Sequence, residues 1–494
     1  MLQQFVGRED ELAFLNRKYD SQNAEFIVIY GRRRIGKTEL IHQFTKDKPH
    51  LYYQCERMNS DIVLEEIKTR ASAVLEDTTL KKIQISTWYE LFTEIVDRFR
   101  FSVNFAGEGG KENITQPKKD GGGGAIPGDQ KKFIIAIDEF PYLAESEKGI
   151  PSIFQKVWDE VLSQSNIMLI LCGSSMAMME REVLSSKSPL FGRRTGQILL
   201  RSLDVQNIMG LFPSYSITDV IRVFALCDGI PAYLNKFDPD ASFSENVEQI
   251  VLNKNEYLYA EGEFLLKSEF REYKNYFLIL FALARGKRSF NDITTATHLD
   301  KGLVSKYLFH LQSLYIVGID RPVTTRTSKS RTARYRISDN FLKFWFRFVY
   351  ANRHEIEEYG SMRFEDIRED FSQYMGRVFE DVCHYTIFRK IGHDYPLVGS
   401  WWNRKGVEID VVALDKRYSR AILGECKWSE RKAGVSTFDD LVEKEKILQL
   451  DTSLNVVEYY LFSKSGFTEK LTHLAEERKD LTLILADDIP ELIG

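Results

Sequence analysis

Three groups of residues in this chain have the types and spacing to do chemistry. The first is Gly31-Arg32-Arg33-Arg34-Ile35-Gly36-Lys37-Thr38, set between the apolar run Phe26-Ile27-Val28-Ile29-Tyr30 and Glu39-Leu40-Ile41-His42-Gln43-Phe44. A strand that turns through a glycine loop into a helix points consecutive backbone N–H groups inward, which suits α- and β-phosphates. Lys37 then reaches the β/γ-phosphates and the Thr38 hydroxyl suits a Mg²⁺ ligand, so the loop predicts binding of ATP with magnesium. The second group is Asp138-Glu139, at the end of the apolar run Phe133-Ile134-Ile135-Ala136-Ile137. Asp138 is placed to hold Mg²⁺, directly or through water, and Glu139 to polarise the attacking water. The third is Asp410, Glu425 and Lys427: two acids with a lysine two residues beyond the second. Acids that bind Mg²⁺ beside an ammonium that orients water and offsets negative charge are suited to a phosphodiester.

Two smaller features add to the first pair. Ile167-Met168-Leu169-Ile170-Leu171-Cys172-Gly173 ends at Ser174-Ser175, a hydroxyl at the edge where a γ-phosphate or attacking water would be sensed. Arg193 and Arg194 follow, two guanidiniums able to reach a transferring phosphoryl group from the same or a neighbouring subunit.

The elements that must position these residues are legible as periodicity. Uniformly apolar runs read as buried parallel strands, and their alternation with helical patterns such as Asp61–Leu75 predicts an α/β sheet. Sheet order would then deliver Lys37, Asp138, Glu139 and Ser174 to one edge. Near the other end, Val407–Leu414 and Ala421–Trp428 read as two strands joined by a polar turn, a hairpin that brings Asp410 near Glu425. Side chains alternate along a strand, so Glu425 and Lys427 share a face. The helical pattern around Gly376-Arg377-Val378-Phe379-Glu380 adds Glu380 as a third candidate metal ligand beside Asp410 and Glu425.

Between these ends lie further modules. Residues 101–131 carry Gly121-Gly122-Gly123-Gly124 with Pro117 and Pro127, too little apolar surface to order itself, and read as an insertion before the Asp138 strand. From Tyr276 to Leu311 three short helical patterns predict a helix-turn-helix. The basic stretch Arg321, Arg326, Lys329, Arg331, Arg334 and Arg336 reads as its wing, either a DNA contact or a rigid connector. On the third helix Ser305 and Lys306 read as exposed, and Leu303, Leu308 and Leu311 as core. The aromatic block Phe341–Tyr350 reads as core that fastens this module to the C-terminal residues.

Residues Gly7-Arg8, the phosphate loop, Asp138-Glu139, Ser174 and Cys227-Asp228-Gly229-Ile230-Pro231 together resemble the AAA-like, STAND-related ATPases of archaea and bacteria, over about residues 1–240. The resemblance implies that the Gly7-Arg8 region contacts nucleotide, that Asp138-Glu139 is the Walker B element, that Ser174 is a sensor and that the 227–234 segment belongs to a helical lid. Asp228 departs from that pattern, standing where a second glycine is expected. Residues 370–494 resemble the PD-(D/E)XK nuclease fold, with Glu380, Asp410, Glu425 and Lys427 in the matching positions. The whole chain is similar to archaeal-type ATPases carrying a DUF234 C-terminal region.

With 494 residues, 43% apolar and 28% charged, the chain is long enough for two to four domains. The expected fold is α/β multidomain: a P-loop NTPase core over 1–205, a helical lid over 206–265, a winged helix-turn-helix over 266–350 and a restriction-endonuclease-like α/β domain over 351–494. A formal charge of −5 gives no global attraction to nucleic acid or anionic membrane. The five scattered cysteines lack metal-ligand spacing, and no apolar run approaches the roughly 20 residues of a membrane helix. The reading is a cytoplasmic chain without membrane contact. It is expected to be a Mg²⁺-dependent ATPase whose nucleotide state controls a nuclease-like domain acting on or binding DNA, with a homo-oligomer or protein partner open. The alternative is a STAND-type signalling switch whose C-terminal domain binds a partner without cutting. A third possibility, a transcriptional regulator, would work through the winged helix alone.

Overall fold

The computed structural model of the chain describes residues 5–107, 132–270, 272–325, 333–415, 417, 419–449 and 454–493. Most of the glycine-rich insertion, and Arg326, Lys329 and Arg331 of the basic stretch, lie outside them. The chain divides into two compact units, Gly7–Arg201 and Ser202–Gly494 with Met1–Val6. No helix among the described residues is long and apolar enough to cross a membrane.

The first unit is built on five strands: β1 (Glu25–Tyr30), β2 (His50–Gln54), β3 (Phe133–Asp138), β4 (Ile167–Gly173) and β5 (Gly196–Leu199). Their order across the sheet is β2-β3-β4-β1-β5 and every pairing is parallel. The strands β3 and β4 are buried along their whole length, as their lack of apolar–polar alternation requires of strands covered on both faces. The order puts β4 between the phosphate-loop strand and the Asp138 strand. Ser174 therefore emerges between the other two groups, which no single segment of sequence shows.

The second unit begins with helices. Past them, the helices Tyr273–Ala284, Phe290–Thr297 and Lys301–Ser313 precede a two-stranded antiparallel pair, β6 (Val317–Asp320) and β7 (Arg334–Ile337). On the third helix Ser305 and Lys306 are exposed, Leu308 and Leu311 are buried, and Leu303 is half-buried, with Val304 taking the deeper position. A mixed sheet comes next in the order β12-β11-β10-β9-β8, from β8 (Leu397–Trp402), β9 (Glu408–Leu414), β10 (Arg420–Lys427), β11 (Val456–Ser463) and β12 (Leu481–Leu485). Its period-2 alternation sorts two cores. Val411, Ala413, Ile422 and Phe462 face Val378, Phe379 and Val382 of the helix Arg368–Ile391. Val412, Leu414, Leu423 and Leu461 face Phe438, Leu441 and Leu448 of the helix Val435–Gln449.

The three modules expected beyond residue 205 share one hydrophobic cluster, running from Leu203 to Ile489. The aromatic block is its centre: Phe341, Phe344, Trp345, Phe346 and Phe348 are all buried. Trp345 donates its indole N–H to the Tyr259 carbonyl at 2.6 Å, and a Cβ at Gly262 would sit 2.3 Å from its ring. Asp228 also acts here. It adopts the left-handed conformation (φ 54°), and its carboxylate accepts the Asn340 backbone N–H at 3.0 Å, so in this chain it is tied to the start of the helix Asn340–Phe344.

Because one cluster runs from the helices through the β6–β7 pair to one face of the C-terminal sheet, Trp345→Ala is expected to remove about 3–5 kcal/mol of unfolding free energy. Hydrogen exchange should then show protection falling together across residues 203–489, while strands β1–β4 keep theirs.

Candidate functional site

The phosphate loop is shaped by close approaches. Gly31 lies against Leu200, whose carbonyl oxygen would be 2.5 Å from any added Cβ, and Gly36 takes the left-handed conformation (φ 92°) at the start of the helix Lys37–Thr45. Arg34 also has positive φ (68°). Lys37 is buried and donates to the carbonyls of Gly31 and Arg32, both at 3.0 Å. The ammonium thus sits within the loop, where incoming phosphates would replace those carbonyls. Arg8 is buried beside it, donating to the Ile35 carbonyl at 3.1 Å and the Arg201 carbonyl at 2.7 Å. It holds the loop from outside.

At the end of β3, Asp138 is 1% exposed. One carboxylate oxygen accepts from the Thr38 hydroxyl at 2.6 Å and from the Tyr52 hydroxyl at 3.0 Å; the other accepts the Glu139 N–H at 2.9 Å. The Thr38–Asp138 pair is a hard-oxygen set of the kind Mg²⁺ takes together with nucleotide phosphates. Burial, followed by the Asp138 charge, pushes the Tyr52 phenol up, so it stays a donor. Glu139 is in the left-handed conformation (φ 52°), and its carboxylate accepts both the Ser174 hydroxyl, at 2.9 Å, and the Ser174 N–H, at 3.2 Å. The structure therefore brings Lys37, Thr38, Asp138, Glu139 and Ser174 to one sheet edge.

It does not bring Arg193 and Arg194 there. Phe26 and Thr195 exchange hydrogen bonds, so both arginines precede β5 at the start of β1, a strand length or roughly 15–20 Å from the phosphate loop. Arg193 pairs with Asp159 at 3.0 Å and Arg194 donates to the Leu184 carbonyl at 3.1 Å. Action on a phosphoryl group of the same subunit is corrected by this geometry, because a parallel sheet puts strand starts and strand ends on opposite edges.

In the second unit, the β9–β10 hairpin pairs Gly424 with Val411, which sets Glu425 beside Asp410. Asp410 accepts the Cys426 N–H at 2.9 Å. Glu425, 7% exposed, is held at one oxygen by Lys427 at 2.9 Å and at the other by Lys444 at 2.7 Å. Lys444, from the helix Val435–Gln449, carries no motif in the sequence; its place comes from Glu425 sharing a face with Leu423, which that helix covers. Glu380 comes from the helix on the opposite face and pairs with Arg377 at 2.6 Å. Burial and the neighbouring Asp410 push the Glu380 carboxyl up, against the pull of Arg377. Asp410 is likewise pushed up by burial and Glu425. The expected three-carboxylate set of Glu380, Asp410 and Glu425 does not converge: among the described residues no three His, Cys, Asp or Glu side chains form a metal-binding group. The physical reason is that cations take the carboxylates: Arg377 holds Glu380, and Lys427 and Lys444 hold the two oxygens of Glu425.

The basic stretch is also partly internal. Arg334 pairs with Glu408 at 3.0 Å over the Trp402 ring, and Arg336 pairs with Asp320 at 2.7 Å and Asp381 at 3.4 Å. These two guanidiniums bind the β6–β7 pair to the C-terminal sheet and its helix, which the charge run in the sequence did not reveal.

The chain is similar to known proteins over most of its length. Residues 5–237 match a family described as an ATPase domain predominantly from Archaea, and residues 345–438 match one described as archaeal and bacterial proteins of unknown function. An uncharacterized protein of Methanocaldococcus jannaschii is 33% identical over 454 residues, covering 90% of this chain and 93% of that protein. Among solved structures, the Walker-type ATPase of Pyrococcus abyssi aligns over 70% of this chain and 96% of its own, at 17% identity and a TM-score of 0.49. The ORC2 protein of Aeropyrum pernix aligns over 73% and 96%, at 12% identity and 0.43.

Tyr52→Phe deletes one donor to Asp138 without changing shape. It should cost about 1 kcal/mol in the hydrolytic barrier, about fivefold in kcat for ATP, with ATP affinity unchanged by titration. Arg193→Ala and Arg194→Ala should leave turnover unchanged in dilute protein. A loss confined to concentrations where copies associate would assign them to a neighbouring subunit's site.

Proposed function

The chain belongs to the archaeal-type ATPases that carry this ATPase domain with a C-terminal DUF234 region, and on that premise we propose that ATP binding and hydrolysis in residues 7–201 control a nuclease-like C-terminal region that acts on DNA. The protein is an ATP-hydrolysing enzyme with a P-loop fold. In this reading Lys37 and the loop N–H groups of Gly31 to Gly36 hold the phosphates, Thr38 and Asp138 would hold Mg²⁺, and Glu139 orients water. Ser174, hydrogen-bonded to Glu139, holds that carboxylate until nucleotide arrives. Magnesium supplies charge neutralisation of the phosphates when bound. The carboxylate of Glu139 takes the proton of the attacking water.

One observation carries the C-terminal half of the proposal: Asp410, Glu425 and Lys427 share the open end of the β9–β10 hairpin, with Glu425 desolvated and its ammonium partner 2.9 Å away. A buried carboxylate with two lysines is expensive for a purely structural end of a hairpin, since ion pairs in such places rarely stabilise relative to apolar packing. Asp410 and Glu425 would hold the divalent cation, and Lys427 would orient water and balance charge on the phosphodiester. The three helices before β6 and the β6–β7 pair fit a winged helix, with Ser305 and Lys306 on its exposed face. The second reading, a switch whose C-terminal region binds a partner without cutting, is favoured by the internal pairing of Arg334 and Arg336, which takes two charges away from a DNA-facing wing.

Glu139→Gln should keep ATP binding and lower turnover by about 10²–10³. A plasmid-cleavage assay with Mg²⁺ or Mn²⁺ compares wild type with Asp410→Ala and Lys427→Ala. Nicking that disappears in both supports the nuclease reading, and nicking that neither substitution alters ends it.

A further inference from the structure

At the open end of the C-terminal hairpin lies a cavity of about 750 Å³, lined by three cations, Arg288, Arg377 and Lys444, by Gly376, and by five carboxylates that include Glu380 and Asp410. Its size is that of a ligand pocket able to take more than a lone phosphate. Most of its charges are already spoken for. Arg377 lies against Glu380 and, at 3.5 Å, Glu408, while Lys444 is on Glu425. Arg288 differs: it draws on Asp320 and Glu408 only through space and forms no side-chain hydrogen bond or ion pair among the described residues, while Arg377 and Arg334 oppose it. Arg377 also pairs with Asp320 at 3.4 Å, so of the three cations on this wall Arg288 is the one without a direct carboxylate partner among the described residues.

The placement of Arg288 is fixed by backbone. Its carbonyl accepts the Tyr335 N–H of β7 at 2.8 Å, and the next residue, Ser289, caps the helix Phe290–Thr297 through Asp292. The fold thus presents this arginine from the helical module to a cavity whose other walls belong to the C-terminal sheet and its helices.

Gly376 is an independent observation. It lies inside the 24-residue helix Arg368–Ile391, where glycine costs about 1 kcal/mol relative to alanine. Packing does not require it, for a Cβ there would meet nothing within 4 Å. What the missing side chain provides is clearance along the cavity wall, beside Arg377.

We propose that Arg288 and Arg377 form a phosphate seat in this cavity, that Gly376 leaves room for the strand carrying the phosphate, and that the ligand is a single-stranded nucleic-acid phosphodiester. The assignment rests on the reading of the C-terminal region as nuclease-like, and it makes the site composite: one wall comes from the helices before β6. Guanidiniums match a phosphate with two parallel N–H donors, and a phosphodiester laid across Arg288 would run toward Asp410 and Lys444. The anion would supply the partner that Arg288 lacks.

The test uses the full chain and a short labelled single-stranded DNA, with EDTA present so that no cleavage intervenes, and inorganic phosphate as a separate probe. Arg288→Ala should weaken oligonucleotide binding about tenfold and lower the slope of log K against log salt by about one, with Arg288→Lys recovering part of the loss. Gly376→Leu should weaken binding similarly while its melting temperature holds or rises, an outcome a structural role for the glycine would not give. ATP turnover should be unchanged in all three. Oligonucleotide binding equal to wild type in both Arg288→Ala and Gly376→Leu overturns the seat, as does inorganic-phosphate binding that Arg288→Ala abolishes in a protein that binds no oligonucleotide. Cleavage is scored separately. Binding that depends on Arg288 in a protein whose Asp410→Ala form nicks as well as wild type removes the nuclease reading and keeps the seat, whereas Asp410-dependent cleavage with Arg288-independent binding does the reverse.

Discussion

A carboxylate buried at the end of an apolar strand costs several kcal/mol unless every lone pair finds a donor, and Asp138 sits under that constraint. Its solution organises the first unit. Thr38 must come from the phosphate loop, Tyr52 from the middle of β2, and the Glu139 N–H from a residue forced into the left-handed conformation. That turn aims the Glu139 side chain at Ser174, at the end of the strand lying between. Satisfying one buried charge therefore fixes the loop, the acid and the sensor relative to each other.

The second unit meets the same constraint with cations rather than hydroxyls. Glu425 is held between Lys427 and Lys444, Glu380 by Arg377, and Asp381 by Arg336. Low dielectric strengthens each of these pairs and makes any unpaired member costly, so the groups are coupled across four elements. The β6–β7 pair is part of that network through Asp320, Arg334 and Arg336. With the aromatic block packed beneath it, the helical module and the C-terminal sheet are joined by charge as well as by apolar area. A displacement of β7 would have to break ion pairs at the mouth of the Asp410 cavity, which gives this region a physical means of sensing its neighbours.

Much of this architecture was legible in residue order. The phosphate-loop strand, β3 and β4 fall within a residue or so of their expected limits, since runs that are apolar at every position have few alternatives in a parallel sheet. The Asp410–Glu425 hairpin was equally plain from alternation about a polar turn. Less legible were groups that meet only through packing. Lys444 lies in an ordinary amphipathic helix and Tyr52 in a short strand, and neither belongs to a spacing pattern that marks chemistry. The basic run from Arg321 to Arg336 read as a surface charge, yet two of its arginines point inward to acids distant in sequence.

The sequence by itself determined the glycine loop and the strands on whose ends Asp138, Glu139 and Ser174 ride, because backbone periodicity and glycine geometry are local. It did not determine which edge or face each group would share. Arg193 and Arg194 were separated from the phosphate loop by strand direction, Glu380 was taken by Arg377 of its own helix, and Glu425 was given to Lys444 by the helix that covers its face. Those outcomes belong to tertiary structure, since they depend on strand order and on the pairing that buried charges demand from whatever residues the fold brings within reach.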